Sequence, residues 1–377
     1  MTTPELLAKL TAFKTVSRDS NTALIQFVAG ELTAAGGAVR VLPGDLPGKA
    51  NLLASFGPTG DGGIILSGHS DVVPVDGQSW STDPFTLTAR DGKLLARGAT
   101  DMKGFIASAM CAASRAQSKT LRRPLHIAIS HDEEVGCIGV RSMLSRLAAE
   151  GFGASGCIVG EPTGLRVAIG HKGKIAGCVC CHGIAAHSAN PGLGCNAIYL
   201  AAGMVQELRA LQDHLLTHGA RDAAYAVPHS TVHVGTIRGG TVLNIVPERC
   251  DLAFEIRFIP GDDIGHLLAR LREAADRLVT LDTRAAIDID ITNEYPGVET
   301  APDSGIARLA LAATGGASTY KTGFGTEAGL FTQMLGLNCI VCGPGSIDRA
   351  HKPDEYVTAD ELAECDMFLD RIVASLT

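Results

Sequence analysis

The sequence predicts an α/β protein: a mixed, largely parallel sheet with helices on both faces, interrupted by an inserted ferredoxin-like α+β block. Three observations carry this. Short apolar runs at Ile64–Leu66, Ile127–Ile129, Ile158–Val159 and Cys339–Cys342 read as buried strands of a parallel sheet. Over the first 170 or so residues such runs alternate with helical patterns, the signature of a sheet covered on both faces. Near Gly170 the order changes to β-α-β-β-α-β, the ferredoxin-like arrangement. At 377 residues the chain also exceeds one typical domain.

Taken in order, Pro4–Lys14 and Asn21–Ala35 read as helices and Asn51–Phe56 as a strand. Met102–Ser118 and Cys137–Ala149 read as further helices. In the inserted block, Lys174–Cys181 reads as a strand and Cys195–Leu216 as a long amphipathic helix. Ser230–Ile237 and Arg249–Phe258 read as strands and Asp262–Val279 as a helix. Ala285–Thr292 alternates Ile and Asp at period two. Candidate site residues occur on both sides of this block, so it is an insertion and not a C-terminal partner. The expected division is 1–171, an inserted 172–293, and 294–377.

Composition narrows the function. The chain is 46% hydrophobic with 44 glycines, enough for a sizeable core and many tight turns. A net charge of −8 without a long basic run argues against a nucleic-acid partner. No uninterrupted apolar stretch of about 18 residues exists, so no membrane-spanning helix is expected. The start, Met1-Thr2-Thr3-Pro4-Glu5, lacks the basic and apolar blocks of a secretory signal, which points to the cytoplasm. The 11 cysteines sit in apolar strands and helices and read as small buried hydrophobes of a reducing compartment. Cys178, Cys180 and Cys181 crowd one strand, and Cys339 with Cys342 makes a Cys-x-x-Cys. Neither cluster has a second pair at zinc-finger spacing.

Polar residues at the ends of the apolar runs carry the chemistry. Each has an ordinary reading by itself. His69-Ser70-Asp71 could be a strand-end turn, but its alternate residues share a face, so Asp71 could orient the imidazole of a metal-bound His69. Asp101 precedes a helix and could be only an N-cap. The pair Glu133-Glu134 could be a solvated helix start, or one carboxylate could bind metal while the other serves as a base. Glu161 and His351 would each pass for loop residues. Side chains at the carboxyl ends of parallel strands converge on one crevice. Mixed imidazole and carboxylate donors suit zinc, cobalt or manganese, and a carboxylate held between two ions makes a two-metal hydrolytic site.

With these motifs in order, the sequence resembles the acetylornithine deacetylase and succinyl-diaminopimelate desuccinylase family of two-zinc aminoacylases and exopeptidases. The matching segments are Ser67–Pro74, Arg97–Gly104, His131–Glu134, Gly160–Thr163 and Ala350–Pro353, and the likeness covers nearly the whole chain. It departs at Ser70, where many relatives have threonine, and at Ala99-Thr100; neither position is expected to bind metal. The resemblance implies a zinc exopeptidase-like fold and two divalent ions, zinc with cobalt or manganese as alternatives. It assigns His69 and Glu161 to one ion, Glu134 and His351 to the other, and Asp101 to both. Asp71 would support His69, and Glu133 would be the general base. The insertion would be a lid and dimerisation domain. Its segment His182–Ala189 resembles the family's lid histidine motif, with His187 polarising the scissile carbonyl across a dimer or by lid closure. Asn244 and Arg257 resemble contacts to the substrate carboxylate.

Gly325–Phe331 and Gly343–Ser346 resemble the deacetylase branch, where Glu327 could meet a cationic substrate tail or be a loop carboxylate held by backbone amides. The implied activity is removal of acetyl from N2-acetyl-L-ornithine by a homodimer, in the service of arginine synthesis. Alternatives are another acyl-amino-acid hydrolase, such as a succinyl-diaminopimelate desuccinylase, and a metal-free binding relative. The second alternative would require damage to a set that is intact here.

Overall fold

The computed structural model describes residues 1–60, 62–280 and 282–377. They form two compact units, one of residues 1–171, 298–321 and 326–377 and one of residues 172–297 with 322–325. Strands β1 (Ala38–Pro43), β2 (Ala50–Phe56), β3 (Ile64–His69), β4 (Thr88–Arg90), β5 (Lys93–Leu95), β6 (Leu125–Ser130), β7 (Gly156–Pro162) and β8 (Ala168–His171) come first. The second unit holds β9 (Gly173–His182), β10 (Thr231–Gly239), β11 (Arg249–Phe258) and β12 (Ala286–Tyr295). The chain then runs through β13 (Val298–Glu299), β14 (Tyr320–Thr322), β15 (Cys339–Gly343) and β16 (Tyr356–Thr358).

The main sheet of the first unit has the order β1-β2-β6-β3-β7-β15-β8-β13, with β14 beside β8. Its four middle strands, β6, β3, β7 and β15, are parallel neighbours. The strands outside them pair antiparallel. Every residue of those four strands is buried, as expected where helices cover both faces. The mixed sheet with a parallel centre is the one the apolar runs indicated.

Helices α1 (Thr3–Ala12), α2 (Thr22–Ala34), α3 (Gly104–Ala116) and α4 (Val140–Ala149) belong to this unit, and α5 (Ala197–His218) and α6 (Ile264–Val279) to the other. Helices α7 (Gly305–Thr314), α8 (Ala328–Leu335) and α9 (Ala359–Ala374) complete the first unit. Helix α3 is buried on nearly all sides, and its many small residues let α1 and α9 pack close. Phe105 of α3 lies so near β7 that a Cβ at Gly160 would overlap its ring. Only glycine fits immediately before Glu161.

In the second unit the antiparallel sheet runs β10-β11-β9-β12. Counted within the unit this is 2-3-1-4, the ferredoxin-like order. Helices α5 and α6 cover one face, where Ile175, Val179, Phe254 and Ile256 pack against Met204, Leu208 and Leu271. Strand β9 alternates strictly, with Ile175, Gly177, Val179 and Cys181 inward and Lys174, Ala176, Cys178, Cys180 and His182 outward.

Helices α3 to α6 start two or three residues later than their patterns indicate, and for α3 and α4 the backbone beside the site shows why. Asp101 (φ −125°, ψ 91°) and Met102 (φ −133°, ψ 31°) are not helical, so α3 begins at Gly104 and not at Met102. Cys137 sits at φ 55°, closing a turn in which the Glu133 carbonyl accepts from the Gly136 and Cys137 amides, and α4 therefore begins at Val140.

Candidate metal centre

His69 closes β3, the Glu133-Glu134 pair follows β6, Glu161 lies near the end of β7, and His351 follows β15. All four positions are at the carboxyl ends of the parallel middle strands, where a crevice forms. Asp101 enters from the turn before α3. Left-handed backbone at Asp132 (φ 53°) and His351 (φ 63°) turns the chain sharply beside the side chains that matter.

Asp101 divides its carboxylate between the two histidines. Its Oδ1 lies 3.1 Å from His69 Nε2 and its Oδ2 lies 3.3 Å from His351 Nε2. Glu161 Oε1 is 3.6 Å from His69 Nε2, and Glu134 Oε2 is 3.0 Å from His351 Nε2. Donor atoms of His69, Glu133 and Glu161 lie within 4.8 Å of one another, as do those of His69, Asp101 and Glu134. Glu133 is thus itself among the side chains whose donor atoms could reach an ion. Glu161 and Asp101 are buried, while the His351 side chain is 53% exposed and marks the open side.

Asp71 reaches His69 through its main chain. His69 Nδ1 donates to the Asp71 main-chain carbonyl at 2.9 Å, whereas the Asp71 carboxylate is 3.6 Å away. That carboxylate instead accepts from the Glu133 amide (3.1 Å), the Glu134 amide (3.3 Å) and the Ser17 hydroxyl (2.7 Å). A proton fixed at Nδ1 leaves Nε2 for a metal. One residue thus orients the imidazole by its backbone and the glutamate pair by its side chain.

The Asp101 turn is anchored from far along the chain. Glu355 Oε1 accepts from the Thr100 amide at 2.9 Å and the Asp101 amide at 3.1 Å, and Glu355 Oε2 pairs with Arg97 Nη1 at 2.6 Å. Arg97 Nη2 donates to Gln78 Oε1 at 2.6 Å, and Gln78 Nε2 donates to the His351 carbonyl at 2.9 Å. Trp80 Nε1 also donates to Gln78 Oε1, and the Arg97 guanidinium stacks on the Trp80 ring. The network ties the shared aspartate to the His351 loop. Gln78, Trp80, Arg97 and Glu355 were not singled out from the sequence, although Arg97 and Glu355 lie in or beside the matched segments.

The electrostatics fit an ion-binding site. Burial pushes Glu133 up to about 8, with Glu134 and Glu327 adding to the effect. Burial likewise pushes Glu134 to about 7, reinforced by Asp101, and raises Glu161 well above the carboxylate range. The His351 hydrogen bonds to Asp101 and Glu134 lift that histidine to about 10. Burial opposes charge on His69, yet Asp101, Glu161 and Asp71 outweigh it and raise its pKa. Crowded carboxylates that hold protons and draw them onto histidines are short of positive charge, which divalent cations supply.

Glu327, at the start of α8, is 1% exposed, and its Oε1 has no hydrogen-bond partner among the described residues. That oxygen is therefore not held by a backbone amide. Burial pushes it up to about 7, against the pull of the Ser130 hydroxyl and His69. The Cys137 thiol, unremarked in the sequence, donates to Glu133 Oε1 at 3.3 Å.

Within the second unit, His187 is exposed and accepts from the Ala189 amide at Nδ1 (3.0 Å), which leaves Nε2–H as a donor. Its segment bridges that of Ile245, and the Ser188 amide donates to the Asn244 carbonyl, so His187 and Asn244 share one loop pair. Arg257 donates to Glu255 Oε1 at 2.7 Å and to the Tyr295 hydroxyl at 2.9 Å, so part of its fork is already engaged.

A family model described as "Peptidase family M20/M25/M40" matches residues 65–375. The acetylornithine deacetylase of Myxococcus xanthus is 38% identical over 374 residues, covering 98% of this chain and 96% of that protein. The acetylornithine deacetylase of Klebsiella pneumoniae (strain 342) is 37% identical over 342 residues, covering 90% and 86%. Among solved structures, the M20 family metallo-carboxypeptidase Sso-CP2 of Sulfolobus solfataricus superposes with a TM-score of 0.79 at 17% identity, covering 97% of each chain. Human carnosine dipeptidase 1 gives 0.74 at 17%, covering 99% and 96%. At these identities the structural likeness speaks for the fold alone.

Proposed function

This chain belongs to peptidase family M20/M25/M40, and we propose that it removes the acetyl group of N2-acetyl-L-ornithine, giving L-ornithine and acetate. The observation that carries the two-ion reading is the divided carboxylate of Asp101, 3.1 Å from one histidine and 3.3 Å from the other. His69, Glu161 and Asp101 would hold one ion, and Asp101, Glu134 and His351 the other, with zinc, cobalt or manganese suited to these donors. Such ions supply Lewis acidity, lowering the pKa of a water toward about 7 and polarising a carbonyl.

Glu133 takes the water proton and returns it to the departing amine. The Asp71 carboxylate holds its backbone and the Cys137 thiol holds its side chain. The His187 Nε2–H meets the developing oxyanion, and Asn244 and Arg257 bind the substrate carboxylate. Glu327 meets the ornithine ammonium, a role supported by its partnerless buried oxygen. The acetylornithine substrate rests on the curated relatives at 35–38% identity.

The inserted unit acts as lid and dimer contact. Its edge strand β12 is guarded by Asp288 and Asp290, whereas the edge strand β10 carries no carboxylate and is open to pairing. All 11 cysteines are free, which fits a reducing cytoplasm, and no helix among the described residues is long and apolar enough to cross a membrane. The reaction would serve arginine synthesis. Steady-state kcat/KM over N-acetylornithine, N-acetylmethionine, N-acetylcitrulline and succinyl-diaminopimelate tests the substrate. The highest value is expected for N-acetylornithine. A higher value for succinyl-diaminopimelate or a neutral acetyl-amino acid would move the protein to another branch. A monomer in sedimentation at micromolar concentration would contradict the dimer.

A further inference from the structure

Nine of the 11 cysteines are buried, in keeping with use as small hydrophobes. The two exceptions stand together. Cys178 and Cys180 project from the helix-free face of β9, half-exposed, with their sulfurs 3.6 Å apart. The same face carries His182 on β9, Asp251 opposite Cys180 on β11, and Asp288 opposite Cys180 on β12. Neither hydrophobic packing nor the hydrolytic chemistry accounts for two adjacent thiols here.

We propose that Cys178 and Cys180 form a separate site for a thiophilic divalent cation of the zinc class, on the open face of the inserted sheet. Two sulfurs 3.6 Å apart, each about 2.3 Å from a shared ion, subtend about 103°, close to the tetrahedral angle of about 109°. The pair therefore chelates with little rearrangement. Among the described residues no third donor lies within 4.8 Å of both sulfurs, so the two thiolates anchor the ion. Water, His182 or Asp251 completes the shell. His182 (42% exposed) pairs with Asp288 at 3.2 Å and Asp251 with Arg249 at 2.9 Å, surface contacts that a metal can displace. Burial, the Cys178 thiol and Asp251 push Cys180 up to about 12, so its proton stays until an ion displaces it. Asp251, Asp288 and Asp290 lend the face the negative potential that attracts a cation.

Cobalt(II) distinguishes this site from the hydrolytic centre, whose proposed ligands contain no sulfur. Metal-free, full-length, reduced protein is titrated with Co²⁺ in the absence of oxygen and followed in the near ultraviolet. A strong thiolate-to-cobalt charge-transfer band is expected, saturating at one ion per chain beyond those taken up by the hydrolytic centre. It should be lost in Cys178→Ser/Cys180→Ser, with far-UV circular dichroism and hydrolysis retained. In the wild type, iodoacetamide should label the half-buried Cys178 ahead of the buried cysteines, and one equivalent of zinc beyond the two at the catalytic centre should protect it. This second measurement needs no variant. Absence of the band in the wild type, an equal band in the double variant, or labelling that zinc leaves unchanged would overturn the proposal.

Discussion

Glu355→Ala probes how the shared aspartate is held. Glu355 and Arg97 are each 1% exposed and 2.6 Å apart, so their pair is fully desolvated. Deleting the carboxylate strands the guanidinium in the interior and leaves the Thr100 and Asp101 amides without an acceptor. Breaking a buried pair by removing one partner costs about 3–5 kcal/mol. The orphaned amides act in the same direction, at about 1–3 kcal/mol each if no water replaces the oxygen. Taking the ion-pair figure alone, and about 2–4 °C per kcal/mol for a unit of this size, Tm should fall by roughly 6–20 °C. Metal binding should weaken as well, because Asp101 loses its anchor. Each tenfold loss of affinity removes about 1.4 kcal/mol from the stabilisation given by a fixed zinc excess. Glu355→Gln keeps an oxygen for the two amides and should fall between the two proteins. Calorimetry of all three, with zinc and with chelator, separates the effects. A Glu355→Ala protein that melts within about 2 °C of wild type, with the same zinc-dependent shift, would refute the reasoning.

Other perturbations address other links. Asp101→Ala should lose affinity for both ions, and His351→Ala mainly for one; two full sites in Asp101→Ala by metal analysis would remove the bridging role. Glu327 is desolvated, so its contact with an ammonium should exceed the few-fold of a surface pair. Glu327→Gln should then lower the preference for N-acetylornithine over a neutral acetyl-amino acid tenfold or more, as each 1.36 kcal/mol is a factor of ten. Equal loss on both substrates would make Glu327 a support of the site. His126, buried between Ser55 and Phe152, is pushed by burial down to about 4 from 6.5. The unfolded chain binds that proton more readily, so stability is full above pH 6.5 and falls as pH drops toward 4, by about 3 kcal/mol in all. Denaturant unfolding from pH 7 to 4 should show His126→Gln losing less than wild type; parallel curves would exclude the effect.

The strand ends that carry the candidate site residues were legible because a parallel centre writes itself as apolar runs ending in polar residues. The inserted order was legible in part because Ala285–Thr292, which forms most of β12, alternates Ile and Asp. Strand Ala38–Pro43 escaped notice: it is an edge strand whose apolar residues are mostly exposed, and it lacks the apolar–polar alternation of a half-buried strand. The late start of α3 was hidden for a different reason. The amides of Thr100 and Asp101 are claimed by Glu355, about 255 positions away, and no local propensity reports such a partner. Asp71 shows the same limit: spacing placed it beside His69 but could not say that its carbonyl, and not its carboxylate, takes the Nδ1 proton. Cys178 and Cys180 were noticed as a cluster, yet only the alternation of β9 shows that they leave the core while Cys181 stays in it.

The reading as a hydrolase, with Glu133 as base beside two ions, is tested most directly by turnover and metal content measured together on Glu133→Gln. The expected result is two ions per chain, as in wild type, with kcat for N-acetylornithine lower by about a hundredfold to ten-thousandfold. Near-normal kcat in a folded, metal-loaded Glu133→Gln protein would contradict it.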